Sequence, residues 1–213
     1  MQIQLNHIIP KPLENLPFHS ESIWGSEINI TSSSKVLLNA SSGKGKSTFS
    51  SILYGTRFDY RGTLTYDGKN AFEFTKEEWT DFRRCKISIV FQDLQLFPNL
   101  TVKENLLIKN LLTGFYEEAQ IFEFIKKVQL EDKWEIPCGI LSMGQQQRIA
   151  IVRSFLQPFE WLYLDEPFSH LDESNSTICL KLINEEVEKR NAGFVLTSLG
   201  NKHGFVYDRE LKL

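Results

Sequence analysis

Hydrophobic and polar positions alternate near the start of the chain, fall into helical periods in its middle, and alternate with helices again towards its end. Ile3 and Leu5 interleave with Gln2 and Gln4, and Ile28 and Ile30 flank Asn29. Separated by the region of Pro10, Pro12 and Pro17, these stretches predict half-buried antiparallel strands. Val36-Leu37-Leu38 is a continuous apolar run, and residues 49–54 read as a helix soon after it. Residues 62–66 predict a further strand with Asp67-Gly68 as its turn. Residues 87–91 are apolar or β-branched almost throughout, as in a strand covered on both faces.

From residue 101 to about 155 the texture becomes helical. Ile121, Phe124, Ile125 and Val128 recur at i, i+3, i+4 and i+7, with Glu123, Lys126 and Lys127 turned away. Strand texture returns at 161–164, a helix follows over 175–189, another strand over 194–197, and the tail to Leu213 reads as hairpin-like. Alternating strands and helices predict a mostly parallel sheet with crossover helices.

Composition narrows the function classes. The 213 residues are 41% hydrophobic, enough for one domain with a proper core. The net charge of −3 arises from 24 basic and 27 acidic residues that are interspersed, with no basic block to track a phosphate backbone. Nucleic acid is therefore not an expected partner. No apolar run approaches the roughly 20 residues that span a bilayer, and the first residues lack the regions of a signal peptide, so a cytoplasmic location is expected. Cys85, Cys138 and Cys179 are far apart and without metal-ligand spacing, which predicts structural thiols rather than a disulfide or zinc site.

Three stretches carry candidate chemistry. Asn39-Ala40-Ser41-Ser42-Gly43-Lys44-Gly45-Lys46-Ser47-Thr48 lies between an apolar strand and a helix. Its glycines permit backbone angles at which successive N–H groups turn towards an anion at a helix N-terminus. Lys46 adds a charge for outer phosphates and Ser47 a hydroxyl for Mg²⁺. A Gly/Ser-rich surface turn is the alternative for that stretch alone. Trp161-Leu162-Tyr163-Leu164-Asp165-Glu166 ends an apolar strand in two carboxylates, one suited to hold a metal and one to polarise water; two exposed loop acids would look the same in isolation. Leu141-Ser142-Met143-Gly144-Gln145 comes just before a helix-like stretch over 146–156 and is a second anion-binding device, or an ordinary capping box.

Taken with Gln92 after a buried strand and Ser169-His170-Leu171-Asp172 after the carboxylates, this order resembles the ATP-binding cassette (ABC) ATPases across essentially the whole chain. Val90-Phe91-Gln92-Asp93, Leu96-Phe97-Pro98 and Leu100-Thr101-Val102-Lys103-Glu104-Asn105 look most like the subgroup of lipoprotein release, macrolide efflux and cell division. The resemblance implies an α/β P-loop NTPase fold: an ABC-type ATPase core (1–92 and 158–213) with an N-terminal antiparallel β-subdomain, and a helical signature subdomain (93–157), in a single domain. It implies ATP and Mg²⁺ as cofactors. Ser42, Gly43, Lys44, Gly45, Lys46, Ser47 and Thr48 are expected around the phosphates; Ser47, Gln92 and Asp165 at the metal; Glu166, Gln92 and Lys46 in hydrolysis. Ser142, Gly144 and Gln145 are expected at the ATP of a second subunit, so that two chains sandwich two nucleotides, with Asp172 communicating across the interface. Integral membrane permease subunits are the expected further partners, placing the chain on the inner face of the membrane. Phe18 is favoured by spacing to stack on adenine, with Trp24 a rival and a core role open to either.

Three positions depart from the family pattern. Ala40 replaces the first P-loop glycine, Met143 stands where the signature has glycine, and Leu199 occupies the position expected for a histidine that holds the γ-phosphate. Leucine offers no hydrogen bond, and His203 reads as a surface residue rather than a substitute. The expected function is an ATP-binding and hydrolysing subunit of an ABC transporter. An ATP-gated regulatory or assembly module with weak hydrolysis is the alternative.

Overall fold

The computed structural model describes residues 1–18, 22–39, 43–200 and 202–213. Two sheets form its frame. The first is antiparallel, in the order β2 (Glu27–Thr31), β1 (Gln2–Pro10), β4 (Tyr60–Tyr66), β5 (Lys69–Asn70). Ile3, Leu5 and Ile8 of β1 point inward, and a register shift between Asn6 and Ile9 carries the alternation across a bulge at His7. Gly62 faces that bulge with φ of 92°, and a Cβ there would lie 2.4 Å from the His7 carbonyl oxygen, so only glycine fits.

The second sheet has five strands, all parallel, in the order β6 (Ile87–Val90), β7 (Trp161–Asp165), β8 (Gly193–Ser198), β3 (Lys35–Asn39), β9 (Arg209–Lys212). The strand expected over 87–91 is one residue shorter. The tail is not a hairpin: β9 runs parallel to β3, pairing Val36 with Arg209 through Asn39 with Lys212. Both edges of β8 are already taken by β7 and β3, so the returning chain cannot pair back on β8 and lies instead along the outer edge of β3.

Side chains of the parallel strands alternate between two cores. Trp161 and Tyr163 join Val36, Leu38, Val195 and the antiparallel sheet on one face. Leu162 and Leu164 join Leu37, Phe194, Leu196 and the helical segment on the other. That segment contains α3 (Val102–Leu111), α4 (Glu118–Lys127) and α5 (Met143–Ser154). The periodic face of α4 is covered as predicted, with Ile121 and Ile125 fully buried and Phe124 nearly so. The remaining helices are α1 (Lys46–Leu53), α2 (Lys76–Cys85) and α6 (Glu173–Lys189). Among the described residues, no helix is long and apolar enough to cross a membrane.

A buried cation ties the helical segment to the core. Arg190, just past α6, donates to Glu186 Oε2 at 2.7 Å, to the Tyr116 hydroxyl at 2.9 Å, and to the carbonyls of Gln157 and Phe155 at 2.7 and 2.9 Å. Its guanidinium also lies 4.2 Å from the Phe159 ring centroid. Glu186 is 4% exposed; Arg190 pairs its charge, and the Tyr116 hydroxyl donates to the same Oε2 at 3.1 Å. Arg190→Met is expected to cost about 3–5 kcal/mol by stranding that carboxylate. Urea denaturation measures it, and a loss below 1 kcal/mol would show that the pair is not what joins the two parts.

Candidate functional site

The carboxyl ends of β3, β6, β7 and β8 lie level, because Asn39 pairs with Ser198, Asp165 with Thr197 and Val90 with Leu164. The loop after each strand therefore opens on one edge of the sheet, where open α/β sheets bind ligands. After β3 the described chain resumes at Gly43 and Gly45, with φ of 78° and 100°, and Gly45 caps α1. A Cβ on Gly45 would sit 2.8 Å from Leu13 Cδ1 and 3.2 Å from Trp24 Cζ2, so the loop is clamped from outside as well as turned from within. Ala40 and Ser42 lie outside the described residues.

Lys46 opens α1 and is only 8% exposed; its Nζ lies 3.2 Å from Glu166 Oε1. A cavity of about 310 Å³ surrounds this pair, lined by Gly43, Gly45, Ser47, Thr48, Gln92 and also Leu13. Glu166 adopts a left-handed backbone, φ 48°, uncommon for a residue with a side chain. Its N–H donates to Thr197 Oγ1 at 3.0 Å, and the same hydroxyl donates to Asp165 Oδ1 at 2.7 Å. One buried threonine thus holds the Asp165 carboxylate and the Glu166 backbone.

Asp165 lies one layer beneath the cavity. It is 3% exposed, and its second oxygen receives the Ser50 hydroxyl at 3.4 Å. Burial raises its pKa above the ordinary carboxylate range; Thr197 opposes the shift and neighbouring Glu166 adds to it. The donor set suits Mg²⁺: Ser47, Gln92 and Asp165 supply hard oxygens, and this ion keeps waters and phosphate oxygens as its other ligands. Among the described residues no three acidic, His or Cys side chains cluster, so a metal here leans on those non-protein ligands.

The signature stretch opens α5. Ser142 Oγ accepts the Gln145 N–H at 3.3 Å, and Gln145 Oε1 accepts the Ser142 N–H at 2.9 Å, so the capping box is present. Ser142 is exposed, and Met143 projects outward with 46% exposure. Ser142, Gly144 and Gln145 do not line the cavity around Lys46. Gly144 passes so near the next loop that a Cβ would lie 2.7 Å from the His170 carbonyl oxygen. Buried Gln147, one turn on, donates to the Glu166 carbonyl at 3.0 Å and accepts the His170 N–H at 2.9 Å. Asp172 caps α6 through the Asn175 N–H.

Of the two aromatics, Trp24 is 3% exposed, donates to the Lys44 carbonyl at 3.2 Å and meets Phe49 edge-on, which makes it a support of the loop. Phe18 is half-buried in a small hollow with Leu13, Lys44 and Leu213. Leu199 is 65% exposed, whereas His203, expected at the surface, is half-buried against Phe168. Sequence reasoning overlooked Leu13, Ser50, Thr197 and Gln147. Only Thr197, closing an apolar strand level with Asp165, carried any signal.

Residues 25–169 match the family model described as "ABC transporter". The chain is 30% identical over 220 residues to the ATP-binding protein HrtA of Staphylococcus haemolyticus, covering 100% of this chain and 97% of the relative. It is 32% identical to the lipoprotein-releasing system ATP-binding protein LolD of Buchnera aphidicola, over 76% of this chain and 72% of that one. Among solved structures, the dimeric MJ0796, a bacterial ABC transporter cassette, superimposes with a TM-score of 0.82 at 25% identity, over 99% of this chain and 94% of that chain.

The sign of the Asp165 shift makes a stability test. A raised pKa means that the folded state holds the proton more tightly than the unfolded one, so stability present at acid pH is lost as pH rises through that interval. In metal-free buffer, Asp165→Asn is therefore expected to melt above the wild type at pH 7, with the difference closing below about pH 4. Thermal melts at the two pH values check this, and a lower melting temperature for the variant at pH 7 would contradict it.

Proposed function

The chain belongs to the ABC transporter family, near its lipoprotein-releasing members, and we propose that it binds Mg²⁺-ATP, dimerises on it, and hydrolyses it to drive separate membrane subunits. The observation that carries this reading is the Lys46–Glu166 contact in the wall of a cavity lined by the glycine loop, Ser47 and Gln92. It supports reading the two as a phosphate-binding cation and a base, side by side where a terminal phosphate would enter.

In this reading the amides of Gly43, Lys44 and Gly45, with Ser42 and Thr48, cradle the phosphates, and Phe18 lies beside the base. Ser47, Gln92 and Asp165, the last directly or through water, would hold Mg²⁺, which when bound would offset the charge of the phosphates. The entering γ-phosphate takes Lys46 from Glu166 and so releases the carboxylate to accept a proton from water. A water oxygen bonds to the γ-phosphorus in line as the bond to the β-bridging oxygen breaks, yielding ADP and inorganic phosphate. Positioning and charge stabilisation supply most of the acceleration.

Ser142, Gly144 and Gln145, exposed or half-buried and away from their own chain's loop, are assigned to the ATP of a second copy. A groove of about 140 Å³ between core and helical segment, with Tyr54, Phe91, Phe97, Ile108, Lys109 and Arg153 along it, supports docking of a permease on the inner face of the membrane. Burial there, with Arg153 near, lowers Lys109 to about 8. The second reading, an ATP-gated assembly module with weak hydrolysis, is favoured by Leu199, whose apolar side chain adds no hydrogen bond to the site.

Glu166→Gln is expected to slow turnover roughly 10²- to 10⁴-fold, about 3 to 5 kcal/mol of barrier, with ATP still bound. Lys46→Ala is expected to weaken ATP affinity instead. Steady-state phosphate release and fluorescent-nucleotide titration separate the two effects. Undiminished turnover in the first variant, or undiminished affinity in the second, would remove the corresponding assignment.

A further inference from the structure

The turn at Glu166 is one that its own sequence resists. Its φ of 48° lies in the left-handed region, which few residues with a side chain adopt. The next residue is Pro167, and proline pushes the residue before it towards extended backbone. Such a conformation persists where surrounding contacts fix it. Thr197 Oγ1 accepts the Glu166 N–H at 3.0 Å and so holds the peptide group before the Cα. Gln147 Nε2 donates to the Glu166 carbonyl at 3.0 Å and holds the peptide group after it, beside a longer turn bond of 3.3 Å from the Ser169 N–H. With both peptide groups held, the direction in which the side chain leaves the backbone towards Lys46 is set.

Gln147 gives its whole amide to this loop. Nε2 also donates to Ser169 Oγ at 3.2 Å, and Oε1 accepts the His170 N–H at 2.9 Å. These partners decide which way the amide points, because the reversed group would set oxygen against the Glu166 carbonyl and nitrogen against the His170 N–H. The side chain is 1% exposed. At that depth an apolar residue of similar volume would pack without needing partners, so the amide answers the backbone of residues 166–170 rather than a demand of the core.

We infer that Gln147 is a positioning residue for hydrolysis: from within α5 it fixes the left-handed turn that aims the Glu166 carboxylate. This rests on the proposed ATPase reading, in which Glu166 is the base. Gln147 touches no reacting atom, so its loss acts through Glu166, whose carboxylate would then sample directions away from the phosphate. The glycine loop and Lys46 would still bind nucleotide. One helix thereby serves two sites, with Ser142 at its N-terminus assigned to the ATP of a second copy and Gln147, a turn further on, to the ATP of its own chain.

A double-mutant cycle with Glu166→Gln tests the inference. Gln147→Met keeps the volume and removes all three bonds. Gln147→Glu keeps the shape and the acceptor for the His170 N–H, and sets an oxygen against the Glu166 carbonyl. Phosphate release from Mg²⁺-ATP, followed in single turnovers where it is slow, is read with affinity for a fluorescent ATP analogue and with melting temperature. Each Gln147 variant is expected to lower kcat roughly ten- to hundredfold, with affinity within about threefold of wild type. Added to Glu166→Gln, either is expected to slow turnover by less than about threefold more, because a residue that acts through the carboxylate has little left to lose. Wild-type kcat in both variants overturns the inference. So does an equal fold-loss in the Glu166→Gln background, which would place the effect in the signature instead, and so does a joint loss of folding or of affinity in both variants, which would mark a purely structural role. A wild type without turnover, or Glu166→Gln at full rate, overturns the hydrolytic reading and this inference together.

Discussion

The contact between Lys46 Nζ and Glu166 Oε1 joins two loops that leave the sheet from different strands, and the edge can be understood from what is needed to hold it. Lysine and glutamate are almost fully withdrawn from water here, so each charge depends on the other and on nearby dipoles. The lysine is delivered by a helix that begins at Gly45, in a conformation closed to most residues and under the side chains of Leu13 and Trp24. The glutamate is delivered by a left-handed turn that Thr197 pins from the neighbouring strand. Without a ligand the two neutralise each other. In the proposed reading, a phosphate that claims the lysine would free the carboxylate, making ligand entry and activation of the base one electrostatic event.

That local event is wired to a surface that faces away from it. Gln147 on α5 bonds to the Glu166 carbonyl and the His170 N–H, while Gly144, one turn earlier, touches the His170 carbonyl. A displacement of the Glu166 turn is therefore felt at the N-terminus of α5, where Ser142 and Met143 are exposed. The Arg190 cluster holds the other end of the helical segment to α6. The helical segment is thus tied to the core at two places, at the Glu166 turn through Gln147 and at the Arg190 cluster, an arrangement suited in the proposed reading to passing a change at the first through the segment.

Much of this was legible in the residues. Loop, carboxylate pair and signature are local patterns whose chemistry follows from residue type and spacing, and helices with a clear 3.6-residue period, such as α4, emerged where expected. What was missed depends on contacts between distant segments. Trp24 and Phe18 are both aromatic and near in sequence, yet only packing against Phe49 and a bond to the Lys44 carbonyl turn Trp24 into a support. The tail carries strand texture, but that it runs parallel beside β3 rather than folding back on β8 depends on pairing with a segment distant in sequence. His203 looked like a surface residue because hydropathy cannot register a ring seated on Phe168 by a single left-handed residue.

The central claim is that one ATP is held by the loop of one copy and the signature of another. Mixing two individually inactive variants tests it most directly: Lys46→Ala, which removes the loop cation, and Ser142→Arg, which blocks the signature. A mixed dimer contains one intact composite site, so ATP turnover is predicted to reappear on mixing, above that of either variant alone. A mixture as inactive as its components would contradict a site shared between two chains.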